Sequence, residues 1–346
     1  MTPASPTNTA ESGSGRRLVV LALSQGGGVL GRQLAAALDG DFLACRGRMA
    51  EAMAEAWGNY REIVCIMATG IVVRTIAPLL QDKYRDPAIV VCDEQGRFAV
   101  SLLSGHLGGA NGLARRVAAV TGGQAVLTTA SDVLGRTALD LWCRDLGLTP
   151  GDKTAFTRAM GRLVDLGTLA VWSRYPLPEL PPDLLPVAER TDADLVIDSR
   201  TGEAGGAALL HPQALVLGIG CNRGTPVAAI EAAARATCAE HGLAPQAIAR
   251  LASIDLKQDE AGLLEFARHQ GLSIDFFSKD DLNRVEGIVA SEAVRRATGA
   301  QGVAEPAALL SAGPGATLLV AKRKWTDVTT AVAEIADPLG RKGGER

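Results

Sequence analysis

The sequence predicts an α/β protein: two open α/β domains with mixed or mainly parallel sheets, joined by a small proline-rich middle region. Three observations predict it. Short apolar, β-like runs alternate with helical patterns across residues 18–146, the rhythm of strand–helix–strand units. That rhythm fades over 149–212, where five prolines fall within 176–186. It returns from residue 213. A chain of 346 residues exceeds one typical domain of roughly 100–200 residues. The expected organisation is a disordered tail over 1–15, an N-terminal α/β domain over 16–148, a middle linker or lid over 149–212, and a C-terminal α/β domain over 213–346.

In order, "LVVLALS" (18–24) predicts a strand and "VLGRQLAAAL" the helix after it. "DFLAC" (41–45) precedes a helix near 48–57, and "EIVCIMA" (62–68) leads into the helix "GIVVRTIAPLL". "AIVVCD" (88–93), the turn "EQG" and "RFAVSLLS" (97–104) read as a hairpin. A helix holding Gly108 to Val120, the strand "QAVLTT" (124–129) and a helix near 132–146 complete the first domain. The middle region offers a helix near 154–166 and two short strands, "DLVIDS" and "AALLH". Its prolines exclude regular helix and central strand from 176–186. In the last domain "ALVLGIG" is a strand, and Thr225-Pro226 starts a helix with an N-cap and a proline in its first turn. Gly242 stops that helix. "RLASI", "SIDFFS" and "TLLVAKR" are further strands, with helices between them and after the last.

Composition limits function. Aromatic residues make up 4% and the net charge is −3, which argues against base stacking and against a general polyanion binder; no nucleic-acid partner is expected. No apolar stretch approaches the ~20 residues of a membrane span. The six cysteines form no C-x-x-C pair and read as small buried hydrophobes of a reducing, cytoplasmic compartment. No metal-binding motif occurs, so no protein-bound metal is expected.

Five regions carry candidate chemistry. Gly26, Gly28 and Gly31 fit G-x-G-x-x-G after a first strand, but the second strand ends "DFLACRGR" without the acid that grips a ribose. Only Arg46 there suits a 2′-phosphate, as in a nicotinamide-linked reductase. Thr69 and Gly70 sit at a strand-to-helix turn, with Arg74 one turn further on, where backbone N–H groups suit a carboxylate. In "SLLSGHLGGANGLARR" (101–116) the same turn carries Ser104, His106, Gly108, Gly109, Asn111 and Arg115. Glycines inside a helix cost about 1 kcal/mol each against alanine, so Gly108, Gly109 and Gly112 imply close approach of a ligand or a packed backbone. Ser104 belongs to this turn but lacks the G-x-S-x-G elbow of a triad nucleophile. Thr129 and Asp132 in "TTASD" close the next strand, as site residues or as caps of the next helix. In the C-terminal domain Arg223, Lys257, Lys279 and Lys322 follow strand ends. The carboxyl edge of an open sheet gathers such residues into one anion-binding rim.

The long motifs then resemble a family. "MATGIVVRTIAPLLQDKYRDPAIVVCDEQG", "SLLSGHLGGANGLARRVA" and "TTASD" resemble the N-terminal part of the cobalt-precorrin 5A hydrolases of cobalamin biosynthesis. "LGIGCNRGTP", "LASIDLKQDEAGLLEFA", "FFSKDDL", "VAEPAALLSAG" and "KRKWTDVTTAVAEI" resemble their C-terminal domain, which also has a stand-alone relative in the aerobic pathway. The resemblance implies a corrinoid substrate that brings its own cobalt, so no further cofactor is expected. Water opens a δ-lactone between the ring A acetate and C20, C20 leaves with its methyl as acetaldehyde, and the macrocycle contracts to the corrin skeleton of cobalt-precorrin 5B. On this reading His106 shuttles the proton, Asn111 orients substrate or water, and N–H groups at Gly70 or Gly108-Gly109 stabilise the oxyanion. Arg74, Arg115, Arg223, Lys257, Lys279 and Lys322 take the acetate and propionate arms. Neighbouring pathway enzymes are conceivable partners. The other reading is a non-catalytic corrinoid carrier.

Overall fold

The structure, a computed structural model, describes residues 18–82, 85–202 and 205–340. The tail expected at 1–15 lies outside the described residues. The chain divides into two compact units, Met1–Leu141 and Trp142–Arg346.

The first unit contains β1 (Leu18–Ala22), α1 (Gln25–Ala37), β2 (Asp41–Ala44), α2 (Met49–Asn59), β3 (Glu62–Ile66), α3 (Thr69–Ile76), β4 (Ala88–Cys92), β5 (Phe98–Leu103), α4 (Ala110–Thr121), β6 (Gln124–Val126) and α5 (Ala130–Leu134). Its sheet runs β2-β1-β3-β4-β5-β6. The first four strands are parallel, and β5 turns back against β4 as the hairpin predicts. β6 lies parallel to β5. Helices cover both faces, so the central strands are buried on both sides and read as continuous apolar runs. Val20, Val64 and Val90 pack with α1 and α4, while Val19, Ile63 and Ile89 pack with α2 and α3.

The glycine run is not a loop. Ser24 caps α1, accepting the Gly27 N–H at 3.0 Å, so Gly26, Gly28 and Gly31 lie within the helix. A Cβ on Gly31 would sit 2.5 Å from the Phe42 ring. Helix-to-strand packing therefore accounts for Gly31, and the dinucleotide reading loses its loop.

α6 (Leu139–Asp145) follows α5 after a break. The single helix expected near 132–146 is thus two helices, because Gly135 ends α5 in the left-handed conformation at φ +63°.

The second unit continues with β7 (Thr149–Pro150), α7 (Lys153–Leu166), β8 (Leu169–Ser173), β9 (Leu184–Pro186), β10 (Leu195–Ile197) and β11 (Ala208–His211). These strands form a five-stranded sheet, β7-β11-β10-β8-β9. β9, with Pro186, is at its edge, where a missing N–H is tolerated. Residues 149–212 therefore carry a sheet of their own.

Then come β12 (Leu215–Cys221), α8 (Val227–Glu240), β13 (Ile248–Ile254), α9 (Ala261–Gln270), β14 (Ile274–Phe277), α10 (Lys279–Asn283), α11 (Glu292–Thr298), α12 (Ala304–Ala312), β15 (Thr317–Lys324) and β16 (Val328–Glu334). The sheet order is β14-β13-β12-β16-β15. Two expectations fail here. The segment after β15 is a central antiparallel strand rather than a helix; "VTTAV" is rich in the β-branched residues that suit a pleated surface. Pro226, not Thr225, is the N-cap of α8, while the Thr225 hydroxyl donates to the Asn222 carbonyl at 2.9 Å. Tyr175 and Ser199 donate to Glu334 at 2.7 and 3.1 Å, tying the middle region to β16.

All six cysteines are free, and all but Cys221 are buried. No helix among the described residues is long and apolar enough to cross a membrane.

Candidate active site

The site grows from one turn. β5 ends at Leu103, and Ser104 takes a left-handed conformation at φ +56°. Its hydroxyl donates to the Asp86 carbonyl at 3.0 Å. Its own carbonyl accepts the Ala110 N–H, and that of Gly105 accepts the Asn111 N–H. A Cβ on Gly108 would overlap Ser104, and one on Gly105 would sit 2.8 Å from Asn111 Oδ1. Gly109 precedes α4 at φ +91°. Gly108 and Gly109 thus lie before the helix, and the backbone that approaches is the turn's own. Gly112 faces open space, and nothing in its surroundings explains it.

This turn presents His106 to α5 and α6. Its Nε2 lies 2.9 Å from Asp132 Oδ2 and 3.1 Å from the Ser131 hydroxyl. Its Nδ1 lies 3.4 Å from Asp140 Oδ1. The ring is therefore held between two carboxylates. Hydrogen bonding to Asp140 raises the His106 pKa above its ordinary value; burial opposes this, and Asp132 adds to the rise. Burial pushes Asp132 and Asp140 upward. For Asp132 the bonds from Arg115 and His106 outweigh it, and for Asp140 the bond from His106 does, so both carboxyls titrate below their usual range. These shifts all favour the ion-paired form, a protonated imidazole between two carboxylates. In that form the ring can donate a proton, with a carboxylate behind each nitrogen.

The other predicted residues of this turn serve the cluster. Asn111 is buried, 4% exposed, and its amide is fully used. Oδ1 accepts from the Ser101 hydroxyl at 2.7 Å, and Nδ2 donates to Asp132 at 2.8 Å and to Thr129 Oγ1 at 3.1 Å. Both amide hydrogens are thus engaged, and Asn111 positions Asp132. Arg115 donates to Asp132 Oδ1 at 2.6 Å, so it is not a free cation. Ser104 is spent on Asp86. The Gly109 N–H donates to the His106 carbonyl at 2.9 Å, which removes it from any oxyanion cradle.

Thr69, Gly70 and Arg74 do not join this site. They follow the carboxyl end of β3, whereas His106 follows β5, which runs the other way. Five residues of β3 separate the two rims, about 16 Å at the rise of a strand. Glu62, at the amino end of β3, holds Arg116 at 2.6 Å on the His106 side. The guanidinium of Arg74 folds back over Gly70.

In the C-terminal sheet the predicted rim exists. β12, β13 and β14 are parallel, and β15 runs with them because both it and β12 oppose β16. Arg223, Lys257, Lys279 and Lys322 accordingly lie at one edge. Much of their charge is answered locally. Lys257 donates to Glu260 at 3.1 Å, Arg223 pairs with Asp259, and Glu260 also accepts the Gly224 N–H at 2.7 Å. At Lys322 it is the backbone N–H, not the ammonium, that donates to Glu305, at 3.0 Å. Lys279 opens α10 and is exposed.

Asp140 escaped the sequence reading. A continuous helix puts it eight residues, about 12 Å, beyond Asp132. The signals were Gly135 as a helix stop and Thr137-x-x-Asp140, a helix-start pattern. Among the described residues no group of three or more His, Cys, Asp or Glu is arranged to hold a metal.

Fold and site together define an α/β protein with a histidine–aspartate cluster at a strand-to-helix turn. Residues 51–132 match the family described as Cobalamin synthesis G N-terminal, and residues 215–333 match Cobalamin synthesis G C-terminus. The chain is 37% identical over 297 residues to the cobalt-precorrin-5A hydrolase of Priestia megaterium, covering 80% of this chain and 79% of that one. It is 33% identical over 324 residues to the cobalt-precorrin-5A hydrolase of Salmonella typhimurium, covering 86% and 92%. Protein CobE of a Sinorhizobium species is 38% identical over 121 residues, 34% of this chain and 79% of that one. The chain belongs to the cobalt-precorrin-5A hydrolase family.

Proposed function

We propose that this protein is a cobalt-precorrin-5A hydrolase that opens the ring A δ-lactone and releases the C20 carbon with its methyl as acetaldehyde, giving cobalt-precorrin 5B. The observation that carries the residue assignment is the His106 ring held between Asp132 and Asp140.

Lactone opening adds water to the carbonyl carbon, breaks that carbon's bond to the ring oxygen, and releases a proton of the attacking water to solvent as the carboxylate forms. His106 donates its proton to that departing oxygen, and the neighbouring carboxylates stabilise the charged ring before transfer and hold its orientation. Fragmentation follows when the freed hydroxyl loses its proton. The electron pair of the breaking carbon–carbon bond passes into the conjugated macrocycle, and the two-carbon piece departs as the aldehyde. Neutral His106 is then placed to take up that proton, which restores the resting imidazolium. Cobalt belongs to the substrate in this scheme, and the cytoplasm is the expected compartment.

The carrier reading is less favoured, because binding alone gives no use for a histidine clamped by two acids. Incubating the purified protein with the lactone substrate and trapping acetaldehyde tests the proposal. Stoichiometric binding without aldehyde overturns it in favour of a carrier.

A further inference from the structure

We propose that Arg136 binds one of the substrate's carboxylate arms beside the His106 cluster. The inference rests on the function proposed above and adds a substrate-recognition residue that the sequence reading did not single out. Residues 135–138 join α5 to α6, the two helices that bring Asp132 and Asp140 to His106. Gly135 turns the chain at φ +63°, and the Arg136 N–H donates to the Ser131 carbonyl at 2.7 Å. The root of the Arg136 side chain is thus fixed one residue from a group that touches the histidine.

Its own side chain is unanswered. Nε is buried and has no hydrogen-bond partner. The guanidinium makes no ion pair among the described residues. The neighbouring charges are all engaged: Arg115 with Asp132, Arg116 with Glu62, and His106 with both aspartates. A guanidinium stays charged in a protein, and a buried N–H without an acceptor is costly. A carboxylate can accept from Nε and a terminal nitrogen together, the two parallel bonds of a side-on fork.

The orphaned nitrogen alone is not the argument, since Arg190 and Arg200 also carry one. Arg190, however, pairs with Asp198 and lies over the Trp172 ring. Neither stands on a segment that joins acid–base residues. Arg136 combines the missing partner with that position.

Arg136→Gln and Arg136→Lys in the full chain test this. Acetaldehyde release by the Gln variant is expected to show KM raised at least tenfold with kcat within about threefold, and the Lys variant should fall between it and the wild type. The melting temperature of the Gln variant should match or exceed the wild type, because a buried N–H without an acceptor is removed. Unchanged KM overturns the proposal, and so does a lower melting temperature with KM unmoved, the mark of a structural arginine. A spectroscopic titration with cobyrinic acid, whose arms end in carboxylates, reads binding without turnover. The Gln variant should bind it at least tenfold more weakly; equal affinity overturns the assignment. If the wild type releases no acetaldehyde, the hydrolase reading fails, while the titration still decides Arg136.

Discussion

Two rims of this molecule attract charged residues, and they use them differently. At the carboxyl ends of β5 and β6, polar side chains converge on one histidine and hold it between two acids that favour its charged form. At the carboxyl edge of the C-terminal sheet, Lys257 turns inward to Glu260, while Arg223 pairs with Asp259 at the surface. Sequence alone makes both look like anion sites. The difference is what each charge faces. Glu260 is 3% exposed, and a carboxylate so buried requires its cation. In the Asp132–His106–Asp140 set two carboxylates instead face one partly buried imidazole.

The comparison breaks most directly at His106. His106→Ala is expected to slow acetaldehyde release by about 10²–10⁴-fold, the usual contribution of a positioned acid or base. Release close to the wild-type rate overturns its role. Lys257→Met comes next and reads stability rather than chemistry. Glu260 keeps the Gly224 N–H and the more distant Arg223, so losing the ammonium costs about 1–3 kcal/mol, and for a unit of this size the melting temperature should fall by roughly 2–12 °C. A KM that rises at least tenfold with no change in melting would assign Lys257 to the substrate instead.

Asp140→Asn sharpens the same contrast through pH. A raised histidine stabilises the fold fully below the unfolded imidazole value of about 6.5 and loses that contribution as pH rises through its folded value. The lowered carboxylates contribute above their unfolded values near 4 and lose it as pH falls through their folded ones. The wild-type advantage over Asp140→Asn should therefore be greatest near pH 5–6 in denaturant titrations. If His106 acts as an acid, turnover should decline as pH rises through its pKa. The variant should move that decline to lower pH; an unmoved limb removes His106 as its source. The smallest effect is expected from Arg74→Ala. Arg74 lies across the sheet from His106, so kcat and KM should stay within about twofold. A large KM increase would show that the substrate reaches both rims.

The sheet, the hairpin and the helix after the His106 turn were legible because β1, β3 and β4 are buried on both faces and "EQG" is a strong turn. Asp132 was visible as a residue closing a strand. What sequence could not supply was direction. One antiparallel strand, β5, sends His106 to the rim opposite Thr69, and motif spacing carries no sign for that. Local signals also lost where tertiary packing decided: β16 replaced a helix because a sheet needed a central strand. Asp140 was hidden by one glycine, since periodicity runs on through Gly135 while the backbone does not.

From Ser101 to Asp140, every group that touches or supports His106 lies in a single stretch of about forty residues. Few long loops need closing before these contacts form, and local contacts form fast. The histidine and its two acids can therefore assemble early on the folding route, ahead of the long-range pairings that complete the sheet. The same compactness makes the set transferable as one piece, because β5, β6, the three helices α4, α5 and α6, and the turns between them carry it whole.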